Sequence, residues 1–242
     1  MKVLTEFVGT FLFLFVIALA AVSGSPLAPL AIGGALMVMV YMGGHRSGAH
    51  YNPAVSFALF LQKKMPAKDF GPYVVAQVVA GILAFWTGYF VTGRTVAIGP
   101  NIEHLMMRAA SMAGASEDAR RELGKAFPLG ASGSAYPVPA LIVEILFTMA
   151  LVLVVMNVAA SKKTEGNNYY GLAIGFTIVA AAVAGGGISG GAFNPAVGIG
   201  ATIIHALFGR GTWEYLWIPI VGPLVGAAMG SYIWSLQERA TD

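Results

Sequence analysis

A nine-residue string occurs twice in this 242-residue chain, each time flanked by apolar sequence. Residues 47–55 read SGAHYNPAV and residues 189–197 read SGGAFNPAV, so the two copies share six identical residues and lie 142 positions apart. Asn is a favourable helix N-cap, and Pro suits the first helical position because its missing N–H is not needed there. We therefore predict that one helix begins at Asn52 and a second at Asn194.

The composition indicates that the chain lies in a lipid bilayer. Hydrophobic residues make up 57% of the chain and charged residues only 10%, with a mean hydropathy of +0.74. Soluble domains carry roughly a quarter charged residues, so this chain has too few to cover a globular surface. The formal net charge of +3 argues against nucleic acid as a partner, and the absence of cysteine excludes disulfides and thiolate metal sites.

Six apolar runs approach the length of about 20 residues that a membrane-spanning helix needs. They are Phe7–Val22, Leu27–Gly43, Phe70–Val91, Val138–Ala160, Gly171–Ala184 and Tyr215–Trp234. Two further runs, Pro53–Leu61 and Pro195–Phe208, are too short to span, and each overlaps the end of one copy of the string. We predict an all-α membrane protein with six transmembrane helices and two re-entrant half-helices, whose first span is a retained anchor rather than a cleaved signal peptide.

The internal repeat extends beyond the nine residues, because EFVGT at Glu6 has the counterpart EILFT at Glu144. Each half reads as span, span, short run, span. We therefore predict a first repeat at 1–92, a long extracytoplasmic connecting loop at 93–136 and a second repeat at 137–242. Three spans per half is an odd number, so the second half enters the membrane inverted. In transport proteins this pattern points to a central site between the paired short segments.

The residues before each Asn, GGHRSGAHY and GGGISGGAF, predict irregular backbone with exposed carbonyl groups. Such backbone is tolerated at membrane depth only inside a protein or along a watery cavity. In an inverted repeat the two half-helices meet end to end, with both positive dipole ends and both Asn amides at one place. This arrangement suits small, polar, neutral molecules and repels cations.

Together these features resemble the aquaporin, or major intrinsic protein, family over nearly the whole chain. The resemblance is carried by the paired NPA boxes, the early glutamate of each half, Gln77 and the VGP string at Val221–Pro223. It implies a passive channel, not an enzyme, for water and other small neutral solutes of the glycerol, urea and ammonia class. It also implies a homotetramer in a lipid bilayer, with no cofactor or metal. The pore residues are Asn52, Pro53, Ala54, Asn194, Pro195 and Ala196.

In most of this family an arginine follows the second NPA box, but here that position is Val197. By resemblance and by counting from the boxes, the selectivity filter consists of Ile32, Ala182, Gly191 and Val197. None of these is histidine, arginine or aromatic, so we predict a wide, apolar filter. The branch markers conflict, because Pro219–Ile220 resembles the glycerol facilitators whereas Gly198 replaces the aspartate typical of that branch.

Glu6 and Glu144 are charged residues within apolar runs, a position typical of functional groups. The resemblance implies a structural role instead, in which each carboxylate accepts hydrogen bonds from backbone N–H groups of its own re-entrant loop. We favour this bracing role over a proton relay.

The distribution of Lys and Arg predicts cytoplasmic termini, in a plasma or bacterial inner membrane. Eight of these residues fall on the side of the termini, and five of the other six lie in the long connection. That connection contains two predicted short helices, from Asn101 and from Ser116. Three alternatives stay open: a strict water channel narrowed by this connection, a gated transporter, and a non-conducting junctional or scaffold protein.

Overall fold

The computed structural model describes residues 1–100, 114, 116, 118, 137–209 and 211–239. Eight α-helices have defined bounds within these residues: α1 (Lys2–Val22), α2 (Ala28–Ser47), α3 (Pro53–Leu61), α4 (Ala67–Thr92), α5 (Pro137–Val155), α6 (Tyr170–Ser189), α7 (Pro195–Phe208) and α8 (Ile218–Arg239). A π-helical turn, Met156–Ala160, extends α5, and a 3-10 helix, Lys162–Thr164, follows it. The two short helices predicted from Asn101 and Ser116 lie outside the described residues.

Six of the helices are long and apolar enough to cross a membrane: α1, α2, α4, α5 with its π-helical extension, α6 and α8. Their outward faces carry large apolar side chains, such as Phe90 and Val183, which are 79% and 68% exposed. Lipid accepts such a surface, and a helix satisfies its own backbone hydrogen bonds there. The predicted all-α membrane class with six spans and two shorter helices is therefore confirmed.

The face of the bundle that holds both chain ends is called here the terminal face. Lys2 at the start of α1 lies 3.6 Å from Asp69 at the start of α4. The end of the π-helical extension meets the end of α8, where the Ser161 hydroxyl donates to Glu238 at 2.8 Å. The starts of α1 and α4 and the ends of α5 and α8 therefore lie together.

The opposite side is called the far face. Arg94, just after α4, donates a 2.8 Å hydrogen bond to the carbonyl of Val22 at the end of α1. Gly99 N–H donates at 3.0 Å to the carbonyl of Ser189 at the end of α6. The first half thus starts at the terminal face and the second half starts at the far face, so the two halves have opposite orientations.

The half-helices connect the two halves by packing crosswise. α3 of the first half packs against α8 of the second, and α7 of the second half packs against α4 of the first. The long helices pair α1 with α2 and α4, α5 with α6 and α8, and α2 with α6 across the middle. Each half-helix is therefore held between elements of both repeats, which fixes where its N-terminus lies.

Several helix ends differ from the sequence predictions. α2 and α6 continue through most of the glycine-rich residues, and irregular backbone begins only at Gly48 and Gly190. Both glycines adopt the left-handed conformation that commonly ends a helix. The predicted run from Tyr215 is also too early, because residues 213–217 form turns and α8 begins at Ile218, one residue before a proline suited to a first helical turn.

Candidate pore

The two re-entrant loops have the same backbone conformation despite their different side chains. Left-handed φ angles between +47° and +89° occur at three equivalent pairs: Gly48 and Gly190, Ala49 and Gly191, Tyr51 and Phe193. For a non-glycine residue the left-handed region costs roughly 1–2 kcal/mol. Something outside each loop must therefore hold it in this shape.

In the first half, that support comes from the fully buried carboxylate of Glu6. One oxygen accepts hydrogen bonds from the Ser47 hydroxyl at 2.6 Å and the His50 N–H at 3.0 Å. The other accepts from the Tyr51 N–H and the Gln77 amide, both at 2.8 Å. Glu6 therefore uses both oxygens to satisfy donors that would be costly to bury unpaired.

A second polar layer surrounds the carboxylate of Glu6, and the described residues around Glu144 have no counterpart of it. The Ser56 hydroxyl lies 3.0 Å from His50 Nδ1 and accepts a 3.0 Å hydrogen bond from the Gln77 amide. The His50 ring also packs edge-on against Tyr73, whose hydroxyl donates to the carbonyl of Ser47 at 2.8 Å. The first loop is thus held by a connected network of buried polar groups.

In the second half the same position is taken by Glu144, which is also fully buried. One of its oxygens accepts from the Ser189 hydroxyl at 2.7 Å and from the Ala192 N–H at 3.0 Å. The other accepts from the Phe193 N–H at 2.6 Å. The hydroxyl and backbone contacts of Glu6 are reproduced, but no amide corresponds to that of Gln77.

The two loops meet through a reciprocal pair of hydrogen bonds. Asn52 Nδ2 donates to the carbonyl of Phe193, and Asn194 Nδ2 donates to the carbonyl of Tyr51, each at 2.9 Å. Each Asn is buried, and each half therefore fixes the position of the other half's loop.

The same Asn side chains begin the half-helices. Their oxygens accept hydrogen bonds of 2.8 Å and 2.9 Å from the N–H groups of Ala54 and Ala196, and a proline occupies the first position of each helix. The predicted helix starts at Asn52 and Asn194 are confirmed. Each amide nitrogen has two protons and uses one on the opposite loop. The second proton is left for a group in the space beside the loops.

That space is a cavity of about 630 Å³. Its lining begins at Ala28 and Pro29 near the far face, includes both re-entrant loops, and ends at Lys64 and Asn167 near the terminal face. Among the described lining residues, charged side chains occur only at the terminal face, at Lys64, Lys162 and Glu165. The rest of the wall is largely aliphatic, with backbone groups, His50, Asn52 and Asn194 supplying polarity at the centre.

The four residues predicted for the filter, Ile32, Ala182, Gly191 and Val197, all line this cavity. They come from α2, α6, the second re-entrant loop and α7, and they belong to the half of the cavity nearer the far face. Gly191 has a φ of +67°, so a side chain there would be strained and the wall at this point is bare backbone. Asn52 and Asn194 line the same cavity. The other predicted pore residues, Pro53, Ala54, Pro195 and Ala196, form the first turns of α3 and α7 and are not among the lining residues.

That reasoning named only a few of the residues that line the cavity. Val96 and Ile98, just after α4, also line the cavity. The sequence places them in the long connection, and no local pattern signals a contact with residues about 90 positions later. Their place follows from long-range hydrogen bonds of the segment after α4, from Arg94 to Val22 and from Gly99 to Ser189.

Comparison with known proteins defines the family of the chain. The profile of the "Major intrinsic protein" family matches residues 1–234. The chain belongs to the major intrinsic protein family. It is accordingly a passive membrane channel and not an enzyme.

Individual relatives and one solved structure are also similar to this chain. "Aquaporin NIP1-1" of Zea mays is 30% identical, over 97% of this chain and 74% of that protein. "Glycerol uptake facilitator protein-like 6" of Lactiplantibacillus plantarum is 31% identical, over 96% of this chain and 95% of that one. The X-ray structure of the aquaglyceroporin from Plasmodium falciparum has a TM-score of 0.70 at 22% identity, covers 96% of this chain and 94% of its own, and supports the fold.

Proposed function

We propose that the central cavity conducts water and small neutral solutes of the glycerol, urea and ammonia class. The observation that carries this proposal is a single cavity whose lining extends from one face of the bundle to the other. The similarity to proteins named as aquaporins and as a glycerol uptake facilitator supports the same substrate class. A non-conducting scaffold would have no need of such a passage.

The selectivity of this pathway has two components in our proposal. Ile32, Ala182, Gly191 and Val197 form a wide filter that sorts solutes by size, because no side chain among them supplies a charge or a strong hydrogen-bond donor. The Asn pair forms a central barrier, where the N-termini of α3 and α7 place positive partial charge beside the cavity. Neutral solutes replace lost water contacts with the Asn amides, whereas cations are repelled.

Glu6 and Glu144 brace the two loops in this scheme rather than relay protons. Each carboxylate is enclosed by hydroxyl and backbone donors, and neither residue lines the cavity. A group that never faces the passage cannot pass a proton along it without breaking those contacts.

We also propose that the termini are cytoplasmic, in a plasma or bacterial inner membrane, and that the channel is a homotetramer. The orientation is supported by exposed Lys2, Lys63 and Lys163 on the terminal face. The assembly is supported by the family resemblance alone.

The proposal is tested by stopped-flow light scattering of proteoliposomes with water, glycerol, urea and ammonia. We expect faster shrinkage in an impermeant osmolyte than protein-free vesicles show, and faster re-swelling with glycerol and urea. A protein that conducts water but neither solute would instead support the strict water channel. Permeabilities equal to those of empty vesicles for all four would contradict the proposal.

A further inference from the structure

The cavity has a second mouth at the terminal face, opposite the filter, and Tyr170 lies at this mouth. α6 ends at the far face, where Ser189 accepts the hydrogen bond from Gly99, so its first residue, Tyr170, lies near the terminal face. A helix of 20 residues is about 30 Å long, which separates Tyr170 from the filter residue Gly191, just after α6. The side chain of Tyr170 lines the cavity and is half-buried. Any effect of Tyr170 on a passing solute is therefore separate from that of the filter.

The ring of Tyr170 is held in place by α2. Tyr41 on α2 packs edge-on against it, with ring centroids 5.1 Å apart. The Tyr41 hydroxyl is itself fixed at the start of α6, because it donates to the carbonyl of Asn168 at 3.0 Å and accepts from the N–H of Leu172 at 3.2 Å. A Cβ placed on Gly44 would lie 3.5 Å from the ring and from the hydroxyl of Tyr170. The backbone of α2 and the Tyr41 ring therefore define where the Tyr170 ring lies.

The Tyr170 hydroxyl differs from three neighbouring polar groups at this mouth. Lys64, Thr164 and Asn167 also line the cavity, and each donates a hydrogen bond to a backbone carbonyl of the π-helical turn Met156–Ala160. The Tyr170 hydroxyl makes no hydrogen bond to any residue that the structure describes, and it is not enclosed by protein. Its proton and its lone pairs are therefore available to a molecule in the cavity.

The wall next to this hydroxyl is aliphatic. Ile174, one helical turn further along α6, lines the cavity, as do Val40 on α2 and Val155 on α5. Such side chains replace none of the hydrogen bonds that a solute loses when it leaves bulk water. A water molecule keeps hydrogen bonds to other waters in the passage, whereas glycerol or urea has several polar groups to satisfy at once. A hydroxyl at the mouth therefore matters more for these solutes than for water.

We propose that the Tyr170 hydroxyl is a hydrogen-bonding site for permeating solutes at the terminal mouth, which makes Tyr170 a specificity-determining residue in addition to the filter. Its ligands are small neutral molecules that both donate and accept hydrogen bonds, such as polyols and amides. The hydroxyl replaces one water of hydration as the solute enters or leaves the aliphatic part of the passage. This inference rests on the proposed conduction of small neutral solutes through the cavity.

The test measures proteoliposome permeability in two pairs of proteins that differ mainly in hydrogen-bonding capacity. Tyr170→Phe removes only the hydroxyl, so it should lower the glycerol-to-water and urea-to-water ratios several-fold while water permeability stays near the wild-type value. Tyr170→Gln and Tyr170→Met have side chains of similar length, but only Gln donates and accepts, so its ratios should be the higher. Tyr169→Phe is the matched control, because Tyr169 is 47% exposed and does not line the cavity. It should leave both ratios as in the wild type.

Thermal unfolding in detergent distinguishes this role from a structural one. Because the hydroxyl makes no hydrogen bond within the described part of the chain, Tyr170→Phe should unfold at the wild-type temperature. A lower unfolding temperature, with all permeabilities reduced in proportion, would indicate a structural role and overturn the proposal.

Three permeability results would overturn the hydrogen-bonding site and leave the proposed function intact. They are wild-type ratios in Tyr170→Phe, an equal fall in Tyr169→Phe, and equal ratios in Tyr170→Gln and Tyr170→Met. A wild-type protein that conducts none of these molecules would overturn both proposals.

Discussion

The two re-entrant loops reach one backbone shape with different side chains around them. In the first half Glu6 is surrounded by amide, hydroxyl and imidazole groups from Gln77, Ser56 and His50. At the equivalent positions the second half has Gly222, Gly198 and Ala192. The contacts common to both halves are those of a glutamate with one serine and two backbone N–H groups. This minimum is enough to hold a left-handed loop.

The aromatic residue before each Asn is also accommodated in two ways. Tyr51 reaches the carbonyl of Met39 with its hydroxyl, at 3.1 Å, and its ring occupies space that a Cβ at Gly9 or Gly43 would need. Phe193 instead packs edge-on against Phe147, with ring centroids 5.4 Å apart. Phe147 on α5 occupies the position in the repeat that Gly9 occupies on α1. In the second half, ring packing by this larger residue takes the place of the hydrogen bond that the Tyr51 hydroxyl makes in the first half. The space around the aromatic residue before each Asn is therefore filled in both halves, with a hydrogen-bonded hydroxyl in the first half and an aromatic contact in the second.

The largest effect should come from removing the shared carboxylate in either half. Glu6→Leu and Glu144→Leu each leave buried donors unpaired, at about 1–3 kcal/mol for each group. Glu6→Leu should cost more, because it also releases the Gln77 amide. Glu6→Gln and Glu144→Gln keep one accepting oxygen and should be milder. Thermal unfolding in detergent measures the order of stability of these four variants. A Leu variant as stable as its Gln counterpart would refute the bracing role.

Substitution of Asn52 and of Asn194 should have the same effect, although the residues around the two side chains differ. A carboxylate cannot donate, so Asn52→Asp and Asn194→Asp each lose one hydrogen bond to the opposite loop and place negative charge between two positive helix ends. We expect reduced water permeability and a new cation leak in both, measured in proteoliposomes. Asn157→Asp, at an exposed site outside the cavity lining, is the matched control. Unchanged water flux and cation exclusion in both pore variants would contradict the central barrier.

The smallest effect should come from the polar layer that only the first half has. Ser56→Ala removes the hydroxyl that joins His50 to Gln77, and the net loss should be about 1 kcal/mol in unfolding free energy. Water permeability should stay near the wild-type value, because Gly198 fills the equivalent place in the second half. The same detergent unfolding measurement checks this. A loss as large as that of Glu6→Leu would mean that the polar layer, not the carboxylate, holds the loop.

The sequence predicted the half-helices well because their signals are local. An Asn with a following Pro defines a helix start within three residues, and the duplicated string identified both starts, at Asn52 and Asn194. The ends of the glycine-rich helices were less predictable, because a glycine permits a helical as well as a left-handed conformation. Only the packing against the rest of the bundle decides that α6 ends at Ser189 and not several residues earlier.

The cavity wall contributed by Val96 and Ile98 could not be predicted from sequence. Their position depends on hydrogen bonds to Val22 and Ser189, which are remote along the chain and use backbone carbonyls that every residue possesses. The start of α8 was misplaced for a different reason. Tyr215 and Trp217 belong to a continuous run of residues classed as hydrophobic, although they form turns here.

The central claim is that an aliphatic filter in the far half of the cavity selects by size, and Val197 tests it most directly. An arginine there adds a fixed charge, five donors and a long side chain, whereas alanine removes volume. The measurement is the glycerol-to-water permeability ratio of proteoliposomes carrying wild type, Val197→Arg or Val197→Ala. We predict that arginine lowers this ratio and alanine raises it, with cations excluded by all three. A wild type that passes both molecules, with the same ratio in both variants, would contradict the account.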